Sequence, residues 1–404
     1  MPAPTLTGRH LLALGGLVLV MMLPETLPVP VLRGLVVERF AIGDGLAALF
    51  MAANMVGALL AAPLVALQAE RTGARRALAV LLLLADAVLM QAMAHPQGYA
   101  SFLLLRTLEG AAHIGALTLL MSLVTDAAGE RHGRALGCLG AGLTLGVATG
   151  AAIGGVLGKQ DPLRTLHAAS ALLLIACLLA WWLLPPDRPT RHRPGLRELW
   201  SLVQQERGML APLCVAFVER FTVGFFTTGF PLMLASVHDL PRPQVGMLLA
   251  AFLYPFALLS WPFGRMAESW SRPRLVAIGC AIYGVGVMLV GAATLAQLWL
   301  LMPLLGIASA MMFTPSLLWL LDRTGSVGRT SAIAGFHAAG ALGFLVGPLC
   351  CGQLLALGGT GEGGYGYVLA FAVAGLTALA SARLAARAAV QGRAGAAGWP
   401  VEPA

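Results

Sequence analysis

The sequence predicts an all-α membrane protein of twelve transmembrane helices, arranged as two pseudo-symmetric six-helix bundles. Three observations carry this. Mean hydropathy is +0.82, with 58% hydrophobic and only 11% charged residues, whereas soluble globules carry about 25% charged residues. Apolar residues continue all round the helix for about 20 residues at a time, the length that crosses a hydrocarbon core of roughly 30 Å. Landmarks in the first half return in the second at offsets of 196 to 199 residues.

Taken in order, the first span falls near 11–32, after Arg9 and His10. Pro24, Glu25, Pro28 and Pro30 follow with no small-residue cleavage site, so a retained helix is predicted rather than a secretion signal. The second span, 45–67, ends in the loop "ALQAERTGARR", and the third, 76–95, carries Asp86. On the fourth, 99–124, "RTLEGAAH" sets Arg106, Glu109 and His113 on one helix face. The fifth, 135–157, has glycine at every fourth position (Gly142, Gly146, Gly150, Gly154) and then Gly155, which admits close backbone approach. The sixth, 164–184, completes a bundle over 1–184.

Residues 185–208 form a cytoplasmic linker with Leu196, Leu199, Trp200 and Val203 on one helical face. An amphipathic helix on the inner leaflet and a flexible connection both fit it. The seventh span, 209–235, holds Glu219 and Arg220 inside "FVERFTVGFF". The eighth, 244–266, leads into "GRMAESWSRPR"; the ninth and tenth lie at 274–294 and 297–320. The eleventh, 331–356, contains Gly343, Gly347 and Pro348, and the twelfth, 365–386, closes a second bundle over 209–388. Residues 389–404 read as a disordered tail.

The repeat shows in four pairs: Pro63 with Pro262, Glu70 with Glu268, Gly110 with Gly306 and Gly146 with Gly343. With both termini cytoplasmic, five of 26 basic residues fall in external loops, two within spans and 19 inside. That bias satisfies the positive-inside rule. The net charge of +8 therefore reports topology and inner-leaflet contact, not nucleic-acid binding. One Lys among 26 basic residues hints at a GC-rich bacterial genome, and hence a multi-pass protein of a bacterial inner membrane. All six cysteines lie in spans without CxxC spacing, and no His-Glu-x-x-His run or P-loop occurs. No metal site, cofactor, enzymatic activity or ATP-driven pumping is expected.

Twelve spans, two parallel repeats and the loop "ERTGARR" resemble the major facilitator superfamily over essentially the whole chain. In that family the loop latches cytoplasmic helix ends together, and the resemblance assigns the role to Glu70, Arg71, Gly73, Arg75 and Arg76. Ala66 and Ala74 depart from the family pattern. Gly73 permits the tight turn, and Asp126 is a partner for Arg71 or Arg75. As solvated loop charges these pairs contribute about 0–1 kcal/mol each; the duplicate at Glu268, Arg272 and Arg274 favours the latch. The family's proton-driven exporters carry a Gly-Pro step in span 5. Here Ala151 replaces that proline, and the step appears as Gly347-Pro348 in span 11. Arg106 followed by Gly110 resembles the family's span-4 motif, whose Arg is implicated in proton coupling.

An ionisable group at a helix centre costs about 2.5–3.5 kcal/mol, so lipid-facing placement is disfavoured. Glu25, Arg106, Glu109, Glu219 and Arg220 lie on spans 1, 4 and 7, which the resemblance places around a central cavity. Together with His113 they form the expected proton-coupling or substrate-contacting set. Glu219 and Arg220 point about 100° apart, so Glu219 is expected to face Arg106, and Arg220 to face Glu25 or Glu109. Asp86 is expected to find a hydroxyl or backbone partner, and His337 to be a packing residue. Trp261, Trp319, Phe225, Phe226, Tyr254 and Asn54 serve either as pocket wall or as packing. Loss of water favours a neutral carboxyl and a nearby guanidinium favours the anion, so relative movement of the two can pick up and release a proton.

The resemblance, nearest the drug:proton antiporter branch, implies a monomeric secondary transporter exporting a small apolar or amphipathic compound against protons. A proton-driven importer or facilitator of a small metabolite or organic anion is the alternative, with Arg106 and Arg220 binding a carboxylate. A non-transporting membrane sensor is a third.

Overall fold

The computed structural model describes residues 7–128, 132–187, 207–323, 329–359 and 364–397. Among these, twelve helices are long and apolar enough to cross a membrane. They are α1 (Gly8–Thr26), α2 (Asp44–Thr72), α3 (Arg75–Ala94), α4 (Tyr99–Ala128), α5 (His132–Leu157) and α6 (Leu163–Leu183) in the first half. The second half holds α7 (Leu210–Ser236), α8 (Arg242–Ser269), α9 (Arg272–Val290), α10 (Leu295–Asp322), α11 (Arg329–Gly358) and α12 (Tyr365–Ala397). Local chemistry starts several of them. Thr7 caps α1 by accepting from the His10 amide at 3.3 Å, and Thr294 with Gln297 forms a reciprocal capping box on α10.

The first span is not the single helix expected over 11–32. It breaks after Thr26, continues as a 3-10 turn at Val29–Val31, and then runs as a π-helical segment at Arg33–Glu38. Pro28 and Pro30 have no N–H to give, so the α-helical ladder cannot pass through them. The last helix is also longer than expected, reaching Ala397 where a tail was expected from 389. The amphipathic face at Leu196, Leu199, Trp200 and Val203, and residues 398–404, lie outside the described residues.

Within the first bundle α1 packs on α5 and α6, α2 on α4, and α3 on α4 and α6. The second repeats the pattern helix for helix: α7 on α11 and α12, α8 on α10, and α9 on α10 and α12. Two seams join the bundles, α5 against α8 and α2 against α11. Exchanging the halves maps one seam onto the other, as for parallel repeats about an axis along the membrane normal.

Small residues make these contacts close. A Cβ on Gly146, Gly150 or Gly154 would collide with backbone of α1 or the residue after it, and one on Gly343 or Gly347 with backbone of α7. Gly155 differs: its neighbours are the Arg242 carbonyl and Pro243, so it serves the seam between bundles.

The end of the molecule where α1 begins carries the basic turns and is called the basic end. At the opposite, far end the bundles are tied across. Tyr367 donates to Asp44 Oδ2 at 2.6 Å, and Arg242 donates to the Gly158 carbonyl at 3.0 Å and to Glu38 at 3.5 Å. Hydrogen bonds between described residues that cross the bundles lie from this end to mid-height, where the Thr149 and Tyr254 hydroxyls are 3.1 Å apart. Nearer the basic end Trp261 on α8 is 70% exposed.

Candidate functional site

Close packing of α2 on α4 builds the first charged cluster. A Cβ on Gly110 would run into the Asn54 backbone, so glycine there seats Asn54 beside Glu109. Asn54 Nδ2 donates to Glu109 Oε2 at 3.0 Å, and Arg106 Nη1 donates to the same oxygen at 2.6 Å. The Arg106 guanidinium also lies 4.7 Å from the centre of the Phe50 ring. One turn along the same face, His113 Nδ1 is 2.7 Å from Asp86 Oδ2 on α3. His113 Nε2 points toward α1, with Glu25 Oε2 at 3.9 Å. Asp86, Arg106, Glu109 and His113 are buried, while the Glu25 side chain stays 18% exposed.

The second cluster lies in the other bundle. Arg220 folds back and donates to Glu219, and Ser309 on α10 donates to the other Glu219 oxygen at 3.4 Å. The Arg220 guanidinium sits 4.4 Å from the Phe313 ring centre on α10 and 5.5 Å from that of Phe336 on α11. Thr222 donates to the Tyr283 hydroxyl at 3.2 Å. Around Tyr283, Phe226 stacks on Phe252 with centroids 5.4 Å apart and an interplanar angle of 8°, and Phe371 meets Phe226 at 5.5 Å.

The expected cross-bundle pairs are therefore corrected. Glu219 pairs with Arg220 and not Arg106; Arg220 reaches neither Glu25 nor Glu109. The 100° between neighbouring Cβ directions is overcome by the length of the arginine stem, and each guanidinium finds its carboxylate without leaving its own bundle. Asp86 is corrected too, since its partner is the His113 imidazole rather than a hydroxyl or backbone group. Of the suggested pocket residues, Phe225, Phe226 and Trp319 are buried packing, Asn54 belongs to the Glu109 cluster, and Trp261 is exposed. His337 lies edge-on to Phe336, with ring centroids 6.1 Å apart.

At the basic end Gly73 adopts φ +63°, a left-handed value that glycine takes without strain. It turns the chain so that buried Arg75 donates to Asp126 at 2.6 Å and to Ser122 at 3.0 Å. Arg75 is also 3.9 Å from Asp187, which accepts from the Arg76 amide at 3.1 Å. The Arg76 side chain donates to the Trp181 carbonyl. In the second bundle Arg272 pairs with Asp322 and donates to the Ala267 carbonyl at 3.1 Å. Asp322 and Asp187 were missed by sequence reasoning. The repeat held the signal for Asp322, because the spacing from Gly110 to Gly306 carries Asp126 onto it. Glu268 is exposed and Arg274 half-buried. Glu70 and Arg71 fall in the last turn of α2, with side chains outside the described structure.

Comparison with known proteins adds findings of three kinds. The family model described as Major Facilitator Superfamily matches residues 14–241 and 212–398. "Multidrug resistance protein 2" of Bacillus subtilis (strain 168) is 26% identical over 160 residues, which span 39% of this chain and 40% of that relative. Among solved structures, a nucleoside transporter, NupG, aligns with a TM-score of 0.78 at 12% identity, covering 94% of this chain and 99% of that one. A bacterial homologue of the human lysosomal transporter Spinster, inward-facing and unoccupied, aligns with a TM-score of 0.75 at 15% identity, covering 95% of each chain. The human organic anion transporter MFSD10 aligns with a TM-score of 0.66 at 18% identity, covering 93% and 99%.

Proposed function

Because the chain belongs to the major facilitator superfamily and is a membrane transporter rather than an enzyme, we propose that it works by alternating access and exports a small apolar or amphipathic compound in exchange for protons. The observation that carries this reading is the Glu219–Arg220 pair in the second bundle, with Glu219 buried and the partly exposed Arg220 guanidinium resting on aromatic rings. Glu219 links α7 to α10 through Ser309, while Arg220 rests on rings of α10 and α11. A proton on Glu219 removes the charge that holds Arg220 back and weakens the tie between these helices. Loss of the proton restores it. That is a local charge change acting on a two-state packing, the ingredient an exchanger needs.

The tight far end and the exposed Trp261 fit a state open toward the basic end, which the arginine bias assigns to the cytoplasm of a bacterial cell. Both clusters are built from residues of one chain, which supports a monomeric working unit. The partial likeness to a multidrug resistance protein supports an amphipathic cargo. Import or facilitated passage of a metabolite uses the same scaffold, and the similar solved chains include a nucleoside transporter and an organic anion transporter. An organic anion is the weaker candidate, since Arg106 and Arg220 already hold carboxylates of their own.

The test is flux of a fluorescent amphipathic dye in proteoliposomes under an imposed pH gradient. Wild type is expected to move dye against its gradient, and Glu219→Gln to abolish gradient-driven movement while still binding dye. Unchanged driven transport in Glu219→Gln removes this residue from coupling. Absence of flux for every dye and nucleoside tried points instead to a sensor.

A further inference from the structure

We infer that Glu25, Glu109 and His113 form a binding site for one divalent transition-metal ion inside the first bundle. A carboxylate oxygen of each glutamate and a ring nitrogen of the histidine lie within 4.8 Å of one another. Each of the three residues has a buried atom left without a hydrogen-bond partner: Glu25 Oε2, Glu109 Oε1 and His113 Nε2. Of the eight buried side-chain polar atoms without a hydrogen-bond partner among the described residues, six belong to this cluster. Unpaired buried polar atoms are costly, and their concentration in one place marks a locus built to receive something.

The surroundings fix the ligands as a metal site requires. Asp86 takes His113 Nδ1, which leaves Nε2 for an ion; a carboxylate behind a ligating imidazole is the usual outer-shell arrangement. Arg106 and Asn54 both hold Glu109 Oε2, which leaves Oε1 buried and free of a hydrogen-bond partner. Bonds of about 2.0–2.2 Å in a tetrahedral ion set neighbouring ligand atoms roughly 3.3–3.6 Å apart. The 3.9 Å between His113 Nε2 and Glu25 Oε2, within a set spanning no more than 4.8 Å, contracts to these values as the ligands draw in, and Glu25, the most exposed of the three, is free to swing inward. Charge agrees. Glu25, Asp86 and Glu109 face one guanidinium, Arg106, so with a neutral imidazole the cluster carries a net charge of about minus two, which one divalent ion balances. An imidazole with two carboxylates suits Zn²⁺ or Mn²⁺, whereas Mg²⁺ prefers oxygen and retains its waters.

This site stands apart from the proposed transport mechanism, which uses the other bundle. The experiment is equilibrium dialysis of the purified full chain in detergent against Mn²⁺ or Zn²⁺, with bound metal measured by mass spectrometry. One saturable ion per chain is expected. Asp86→Asn is expected to weaken binding about 10- to 100-fold, His113→Asn and Glu25→Gln at least as much, and the surface change His167→Asn not at all. Glu25 is partly exposed, so its variant tests the site even where the buried substitutions impair folding. No saturable ion, or affinity unchanged in both His113→Asn and Glu25→Gln, overturns the site. Mg²⁺ bound as tightly as Mn²⁺ overturns the imidazole ligand. A chain that binds Mn²⁺ but moves no dye keeps the site and loses the transport reading; dye transport without Mn²⁺ binding does the reverse.

Discussion

Arg106 shows what a single buried charge does here. It neutralises Glu109 while lying over Phe50, so Arg106→Ala leaves a carboxylate uncompensated and is expected to cost about 3–5 kcal/mol. Thermal unfolding in detergent measures this, and adding Glu109→Gln is expected to return most of the loss; no recovery would mean the arginine acts by packing alone. The sequence shows that Arg106, Glu109 and His113 share a face, because helical spacing fixes that. It does not show which partner each takes. A long, flexible side chain chooses among neighbours that depend on how helices are rotated, which is how Arg220 reaches the residue beside it. Asp86 was misjudged for the same reason: the rotation of α3, not its place in the chain order, turns it to His113.

Helices were legible wherever apolar length and glycine spacing set the outcome, and less so at their ends. Glycines four residues apart in α5 announce a close neighbour, but not that Gly155 faces a different one from Gly154. That distinction is testable. Gly150→Val pushes α5 off Leu23 and Thr26 and is expected to abolish stable expression. Gly155→Val strikes the Arg242–Pro243 backbone across the seam, so the chain should fold with its far end biased open. The readout is thiol labelling of Ala48→Cys, buried where α2 meets α11 beside Gly352. Its labelling should rise several-fold in Gly155→Val, and an unchanged rate would show that the seam does not open as a unit.

Over the whole molecule, duplication was readable from four pairs of landmarks, and the structure extends it to the packing list and to the basic-end ion pairs. Arg75 with Asp126 and Arg272 with Asp322 occupy matching corners of the two bundles. If both brace the same rocking motion, Arg75→Ala and Arg272→Ala should each slow dye turnover, and the double variant should slow it about tenfold, equivalent to about 1.4 kcal/mol of barrier. Full turnover in the double variant would reduce both pairs to surface contacts. The far end has no such symmetry. The broken tail of α1 reaches over to α8, where Gly34 is pressed against the Arg242 side chain, and the same side chain holds the carbonyl of Gly158. The residues between α7 and α8 offer only a short connection in the matching place. Arg242 is thus a keystone: the tail of α1 and the turn after α5 both lean on one guanidinium of the second half, and its loss alone would let the sealed face leak while leaving both halves intact.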